Sequence, residues 1–360
     1  MRILNYFFIL SVIISSCRPE DSDSITIPEL PKNYGKGMYI LTDQGVSFCN
    51  IEDADSLRVV KNNIYSVVNG ADISQPKSMI IEGDQAFIIG DKVYSVDIET
   101  FGSLGSVSGF FNPVSCVRVD NNRLFVVDKG DATVKIVDLE KQQIQSHIET
   151  GDGTHPTKIV NNWFRTIIMN GGGSTKAERD SSIVSIDYFT KYDFVERNNF
   201  SGKLDIGYNP NSAVFGTDDL WVLCKGIYDV NNSANNIEGI IYQVWPYNTM
   251  ATFFNKPLSG IYNANSLAIN TYKNKLFFTA EEGIYITDAN SSLSVNLHIS
   301  NVNANCIAIN IEKINDSTWV EYLYTNDANQ SGKVLKYEAW TGFPIDTITV
   351  NGNILEVAFY

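Results

Sequence analysis

Three histidines, five cysteines and two short polar loops are the places in this 360-residue chain where chemistry could be built. His147 and His298 fall in strand-like runs expected at the outer edges of their sheets, where a surface histidine is the default reading. His155 lies in a loop. No Gly-x-Ser-x-Gly nucleophile, His-Glu-x-x-His helix or second histidine ligand accompanies it. Gly171-Gly172-Gly173-Ser174-Thr175-Lys176 ends like a phosphate loop but lacks the flanking spacing and the helix that follows one. Asp229 to Glu238 offers oxygen ligands at alternating positions, as a calcium loop does, without the glycine such a loop needs at its sixth place. Cys49, Cys116, Cys224 and Cys306 sit in separate strand-like runs with no Cys-x-x-Cys pair. They are expected as buried thiols, a single accidental disulfide being the alternative. No catalytic residue, metal or cofactor is assigned on this basis, and the chain is expected not to be an enzyme.

The remaining candidates are binding residues on long loops. Two segments, Asn170 to Ser182 and Lys225 to Gly239, are longer than the corresponding loops elsewhere. Their neighbours in the same positional class are 108–112, 154–155, 205–209 and 260–263. Aromatic, amide and glycine residues are concentrated there, a composition suited to a ligand surface on a rigid scaffold. The candidate ligand-binding set is Phe110, Phe111, Asp128, Lys129, His155, Asn170, Tyr208, Lys225, Tyr228, Tyr262 and Asn263. The plainer alternative is that these rings merely cap the ends of strands.

Such loops need a frame, and the chain repeats one. From Pro113 it gives a strand to Val119, an Asp120-Asn121-Asn122 turn and Leu124-Phe125-Val126-Val127. After a second turn come Val134 to Val137, a polar turn at Asp138 and Ile144 to Ile148. Four antiparallel strands thus occupy about 43 residues before the unit restarts near Pro156, a period that signifies propeller blades. Second strands align through an aromatic: Tyr39, Phe87, Phe125, Trp221 and Phe277, with looser copies at 164–169 and Tyr322 to Tyr324. First strands follow Pro76, Pro113, Pro156, Pro210, Asn265, Asn305 and Asn353. The first copy lacks an inner strand and Ile354 to Phe359 is an inner strand with nothing after it, so the two are expected to complete one blade and remove the free edge. The predicted fold is all-β: a seven-bladed β-propeller of four-stranded antiparallel blades, closed by pairing N- and C-terminal strands. A β-solenoid of the same period would need no such pairing.

Ahead of the blades, Ile3 to Ile14 is an apolar run suited to a signal peptide and too short to span a bilayer. It ends in Ile14-Ser15-Ser16-Cys17, which resembles a bacterial lipobox, with Cys17 as the lipidated residue. An ordinary secretory signal is the alternative. An acidic, polar tether follows. The expected domains are a signal peptide over 1–16, lipidated Cys17 and tether over 17–33, and a single propeller over 34–360. Acidic residues just after Cys17 also resemble surface-export signals, giving an expected location on the outer membrane, lipid-anchored and facing the cell exterior. A net charge of -14, with no basic run, argues against nucleic acid as a partner.

Taken together, the lipobox, acidic tether, proline-started blades and closing Leu355-Glu356-Val357-Ala358-Phe359 resemble the YncE-like propeller lipoproteins. More narrowly, the chain is similar to the surface lipoproteins called BtuG, which capture cobalamin. The resemblance covers the mature chain and rests on architecture, with no site motif to transfer residue by residue. It implies capture of vitamin B12 or a related corrinoid, as a transported ligand and not a catalytic cofactor. Delivery would be to a BtuB-like, TonB-dependent outer-membrane transporter. Two rivals stay open: a glycan-binding or adhesion propeller using Trp245 or Trp340 on the opposite face, and a propeller lactonase or hydrolase.

Overall fold

The computed structural model describes residues 32–51, 59–150, 155–162, 165–172, 180–187, 200–229, 231–246, 250–290, 294–315 and 317–360. The expected signal peptide, Cys17 and most of the tether lie outside the described residues, as do 163–164 and most of the loop between Asn170 and Ser182.

Seven four-stranded antiparallel sheets follow one another around a ring. The blade closing the chain takes its inner strand from the C-terminus, with the order β28(Ile354–Phe359), β1(Met38–Thr42), β2(Gly45–Cys49) and β3(Val60–Lys61). Blade 2 is β4(Ser78–Glu82) to β7(Ser103–Val107), and blade 3 is β8(Pro113–Arg118), β9(Arg123–Asp128), β10(Thr133–Asp138) and β11(Gln143–Glu149). Blade 4 is β12(Pro156–Asn161), β13(Arg165–Asn170), β14(Ser182–Asp187) and β15(Phe200–Asp205); blade 5 is β16(Pro210–Phe215), β17(Leu220–Cys224), β18(Ile240–Trp245) and β19(Ala251–Pro257). Blade 6 runs from β20(Asn265–Ile269) through β21(Lys275–Ala280) to β23(Asn296–Ser300). Blade 7 is β24(Ile307–Asn315), β25(Thr318–Asn326), β26(Lys333–Glu338) and β27(Pro344–Thr349). The seven-bladed architecture read from the sequence is therefore the fold, and Tyr39 pairs with Ala358 as the closure requires.

Second strands read as continuous apolar runs because both of their faces are covered. In β9, Leu124 and Val126 pack into the core shared with blade 2, while Phe125 and Val127 pack into the core shared with blade 4. The recurring aromatic always faces forward: Tyr39, Phe87, Phe125, Trp221, Phe277 and Tyr324 each enter the core shared with the following blade. Inner strands are tied to each other as well. Ser212 Oγ accepts from Leu267 N at 2.9 Å, Ser266 Oγ from Ile307 N at 3.1 Å, and Glu356 Oε2 from Met79 N at 2.8 Å. Lys158 and Glu356, on inner strands of blades 4 and 1, approach to 3.6 Å.

Two details differ from the sequence reading. A six-residue helix, α1(Ile64–Asn69), sits between β3 and β4 and buries Ile64 and Tyr65 in the first inter-blade core. Blade 7 opens with a hairpin of two nine-residue strands whose tip leaves Ile314 and Trp319 exposed.

Candidate functional site

Loops from second to third strands and from each fourth strand to the next blade emerge at one end of the strands, as the candidate binding surface requires. Across blades 4 and 5 they are stitched together. Loop 206–209 donates Ile206 N to Ser181 O at 2.7 Å and Asn209 N to Asp180 O at 2.8 Å. On its other side it accepts Lys225 N at Asn209 O (2.9 Å) and Gly226 N at Tyr208 O (3.0 Å). The Lys225 to Gly239 segment is then closed by a two-way bridge between Ile227 and Ile237. Gly239 N in turn donates to Ile261 O at 2.9 Å, and Leu258 N to Gly239 O at 2.8 Å.

Those ties bring Tyr208, Lys225, Tyr228, Tyr262 and Asn263 onto one side of blade 5. Tyr228 and Tyr262 pack with ring centroids 5.8 Å apart at 34°. Tyr208 and Tyr228 each keep 40% of their surface exposed, far more than structural rings such as Tyr39. Burial pushes the Lys225 ammonium below the ordinary lysine range, so a ligand oxygen would meet a cation that is poorly hydrated before binding. Asp229 organises the loop tip and is consumed in doing so. Its Oδ1 accepts Asn231 N and Asn232 N at 3.0 and 3.2 Å, and its Oδ2 accepts Asn235 Nδ2 at 2.8 Å. The carboxylate of the calcium-like segment is thus directed inward, while Asn232 caps a short turn over Ser233–Asn235 by accepting Ala234 N at 3.1 Å. Among the described residues no group of three acidic, histidine or cysteine side chains is arranged to hold a metal ion.

The other candidates fall elsewhere. Phe111 is 77% exposed beside blade 3, with Lys135 Nζ 5.9 Å from its ring centre. Lys129 is half-buried next to it, and a Cβ on Gly130 would stand 2.5 Å from that of Phe111, so only glycine fits this crossing. Phe110 is packed against the core between blades 2 and 3. Asp128 is wholly buried and holds the loop: its carboxylate accepts Phe111 N, Asn112 N and Gly130 N at 2.9, 2.7 and 3.2 Å. Asn326 does the same in blade 7, accepting Asn305 N and Cys306 N at 2.8 and 3.1 Å. Asn170, also wholly buried, donates to Ser182 Oγ at 3.0 Å. Asp128 and Asn170 therefore position loops from beneath. His155 is half-buried, and its carbonyl accepts Gly172 N at 3.2 Å.

Sequence reasoning missed an amide chain at the inner rim, in which Asn211 Nδ2 donates to Asn265 Oδ1 at 2.6 Å and Asn265 Nδ2 reaches Asn305 O at 3.4 Å. It also missed buried polar atoms on this side of blades 4 and 5 that make no hydrogen bond to the described protein, His155 Nδ1, Asp180 Oδ2, Asn209 Oδ1 and Asn211 Oδ1 among them. Asn209 is legible in hindsight as a non-glycine residue at φ 55°, a backbone state asparagine tolerates. The thiols Cys49, Cys116, Cys224 and Cys306 are buried, and among the described residues none of them is joined in a disulfide.

The opposite end of the ring, where first strands turn into second strands, carries a cavity of about 880 Å³ lined by Glu82, Arg118, Asn161, Phe215, Asp218 and Lys273, among others. Partial desolvation raises the Glu82 carboxyl above the usual carboxylate range, and Arg118 opposes that shift.

No protein-family model and no curated protein matches the chain. Solved structures do, and the class they define is the β-propeller. A putative 6-phosphogluconolactonase from Bacteroides uniformis superposes with TM-score 0.62 at 12% identity, covering 90% of this chain and 99% of that one. A functionally unknown protein from Desulfotomaculum acetoxidans gives 0.61 at 11%, covering 89% and 98%. A quinonprotein alcohol dehydrogenase-like protein from Bacteroides thetaiotaomicron gives 0.61 at 12%, covering 90% of this chain and 78% of that one. At such identity the likeness is one of fold, the seven-bladed propeller.

Proposed function

We propose that this protein binds a ligand without transforming it, and that the ligand is cobalamin or a related corrinoid. Capture takes place outside the cell, with delivery to a TonB-dependent outer-membrane transporter. The observation that carries the reading is the patch on blade 5, where Tyr208, Lys225, Tyr228, Tyr262 and Asn263 are gathered by main-chain hydrogen bonds between three loops. A corrinoid is a broad, largely neutral ligand rimmed by amides. Exposed tyrosines offer it flat apolar area with a polar tip, and the amide-rich inner rim offers donors and acceptors. Lipid attachment at Cys17 would hold the propeller at the membrane.

Titration calorimetry with cyanocobalamin on the mature protein tests this. Wild-type protein should bind it and return it unaltered. Tyr228→Ala and Tyr262→Ala should each weaken binding by about 1–3 kcal/mol. Absence of binding by wild-type protein refutes the corrinoid reading, and turnover of a lactone or ester would replace it with an enzymatic one.

A further inference from the structure

At the opposite end of the ring the 880 Å³ cavity does not stand alone. A second cavity of about 260 Å³ adjoins it and shares Thr217, Asp218, Asp219 and Lys273 with it, then runs outward to Trp245 and Phe253. The two form one trough along blade 5, from the inner strands to the outer edge. Both ends carry a ring: Phe215 at the inner end, and at the outer end Trp245 packed edge-on against Phe253 with centroids 5.7 Å apart at 75°. Phe253 is 63% exposed.

The walls restrict what the trough can hold. Glu82, Asp120, Asp218 and Asp219 line it against two cations, Arg118 and Lys273. Both cations are turned toward the protein's own carbonyls. Arg118 donates to Asp120 O and Asn121 O at 3.1 Å each, and Lys273 donates to Phe215 O and Gly216 O at 2.9 Å each. A phosphate or carboxylate ligand would meet more carboxylates than available cations, and a hydrocarbon would face polar walls over most of the length. A chain of hydroxyl groups suits them. Each hydroxyl can donate to a carboxylate and accept from an amide, as at Asn121, Asn162 and Gln243, while the C–H face of a pyranose ring packs on Trp245 or Phe253.

We propose that this trough is a binding site for a neutral oligosaccharide chain, separate from the corrinoid surface at the other end of the ring. The test is calorimetry and ligand-observed NMR on the mature protein with neutral hexasaccharides of glucose, mannose, galactose, xylose and N-acetylglucosamine. At least one should bind. Trp245→Ala should weaken that binding about tenfold, the scale of a stacked aromatic anchor. Asp218→Ala, at an exposed position where folding is not at stake, should weaken it measurably. Cyanocobalamin affinity should be unchanged in both variants. No binding by any hexasaccharide, or binding indifferent to both substitutions, overturns the proposal. Loss of cyanocobalamin affinity in Asp218→Ala would overturn the separation of the two sites.

Discussion

Asp128 should be worth far more to stability than to ligand contact. Its carboxylate is wholly buried and collects three main-chain N–H groups from the loop that carries Phe111. In Asp128→Ala all three lose their acceptor. Phe111 and Gly130 are exposed enough for water to replace theirs at little cost, whereas half-buried Asn112 is not. One donor bearing most of the penalty and two bearing little give a destabilisation of about 3 kcal/mol. Asp128→Asn should cost only about 1 kcal/mol. Its Oδ1 can keep two of the donors, as Asn326 does in blade 7, while its amide nitrogen faces the third. Urea denaturation of the mature domain, followed by tryptophan fluorescence, measures both. Cyanocobalamin titration on the same samples gives the second readout, since Asp128→Asn should leave binding near wild type. Equal stability of Asp128→Ala and wild type would refute the reasoning, as would a large affinity loss in Asp128→Asn with stability intact, which would mean direct contact.

Further outcomes are expected. Cys17→Ala should leave the propeller folded but release it from membranes, read by fractionation and acyl labelling. Deleting residues 354–360 removes the strand paired with Met38 to Thr42 and the buried side chains of Ile354 and Val357; a thermal melt should show a loss of about 3–6 kcal/mol from those two side chains alone. Lys336→Ala should cost about 3–5 kcal/mol by chemical denaturation, because it strands Glu312 beside a lysine site whose side chain is only 2% exposed. The buried thiols should resist a disulfide reagent until denaturant is added: burial lifts Cys306 from 9.0 to about 12 and raises Cys116 and Cys224 as well. Because the unfolded chain releases those thiol protons first, stability should fall as pH rises from about 9 towards 12, as equilibrium unfolding across that range would show.

The ring was legible because its signals are local and repeated. An aromatic two-sided strand, a turn asparagine or aspartate and a proline-started inner strand recur at fixed spacing, and each follows from covering both faces of a sheet or ending one. Departures came from contacts that no spacing encodes. Helix α1 forms where Ile64 and Tyr65 find a core supplied by other blades, not from a sustained apolar period. Lys336 and Glu312 look like surface charges in sequence. In the fold, Lys336 Nζ lies 2.7 Å from Glu312 and 3.8 Å from the centre of the Tyr322 ring, and Tyr324 donates its hydroxyl to the same carboxylate. For the candidate site, loop length and aromatic content pointed to Tyr208, Tyr228 and Tyr262, which stand on loops joined by main-chain hydrogen bonds, since insertions in adjacent blades must be neighbours. They gave no sign that Asp128 and Asn170 point inward, because a polar residue at the end of a second strand reads alike whether it meets a ligand or holds a loop.

That ambiguity reflects how a propeller divides labour. Each blade is finished by its neighbours, so the seven inter-blade cores carry the stability and both ends of the ring are free to vary. On one end the variation is in loop length, which gathers tyrosines and Lys225 on blade 5. On the other the turns from first to second strands stay short, and the cavity is made by what the inner strands end in: Glu82, Arg118, Asn161 and Phe215, one from each of four consecutive blades. A site built from insertions announces itself in the sequence as a broken period. A site built from one residue per blade is written at the repeat's own spacing, and only the closed ring brings its members within reach of a single ligand.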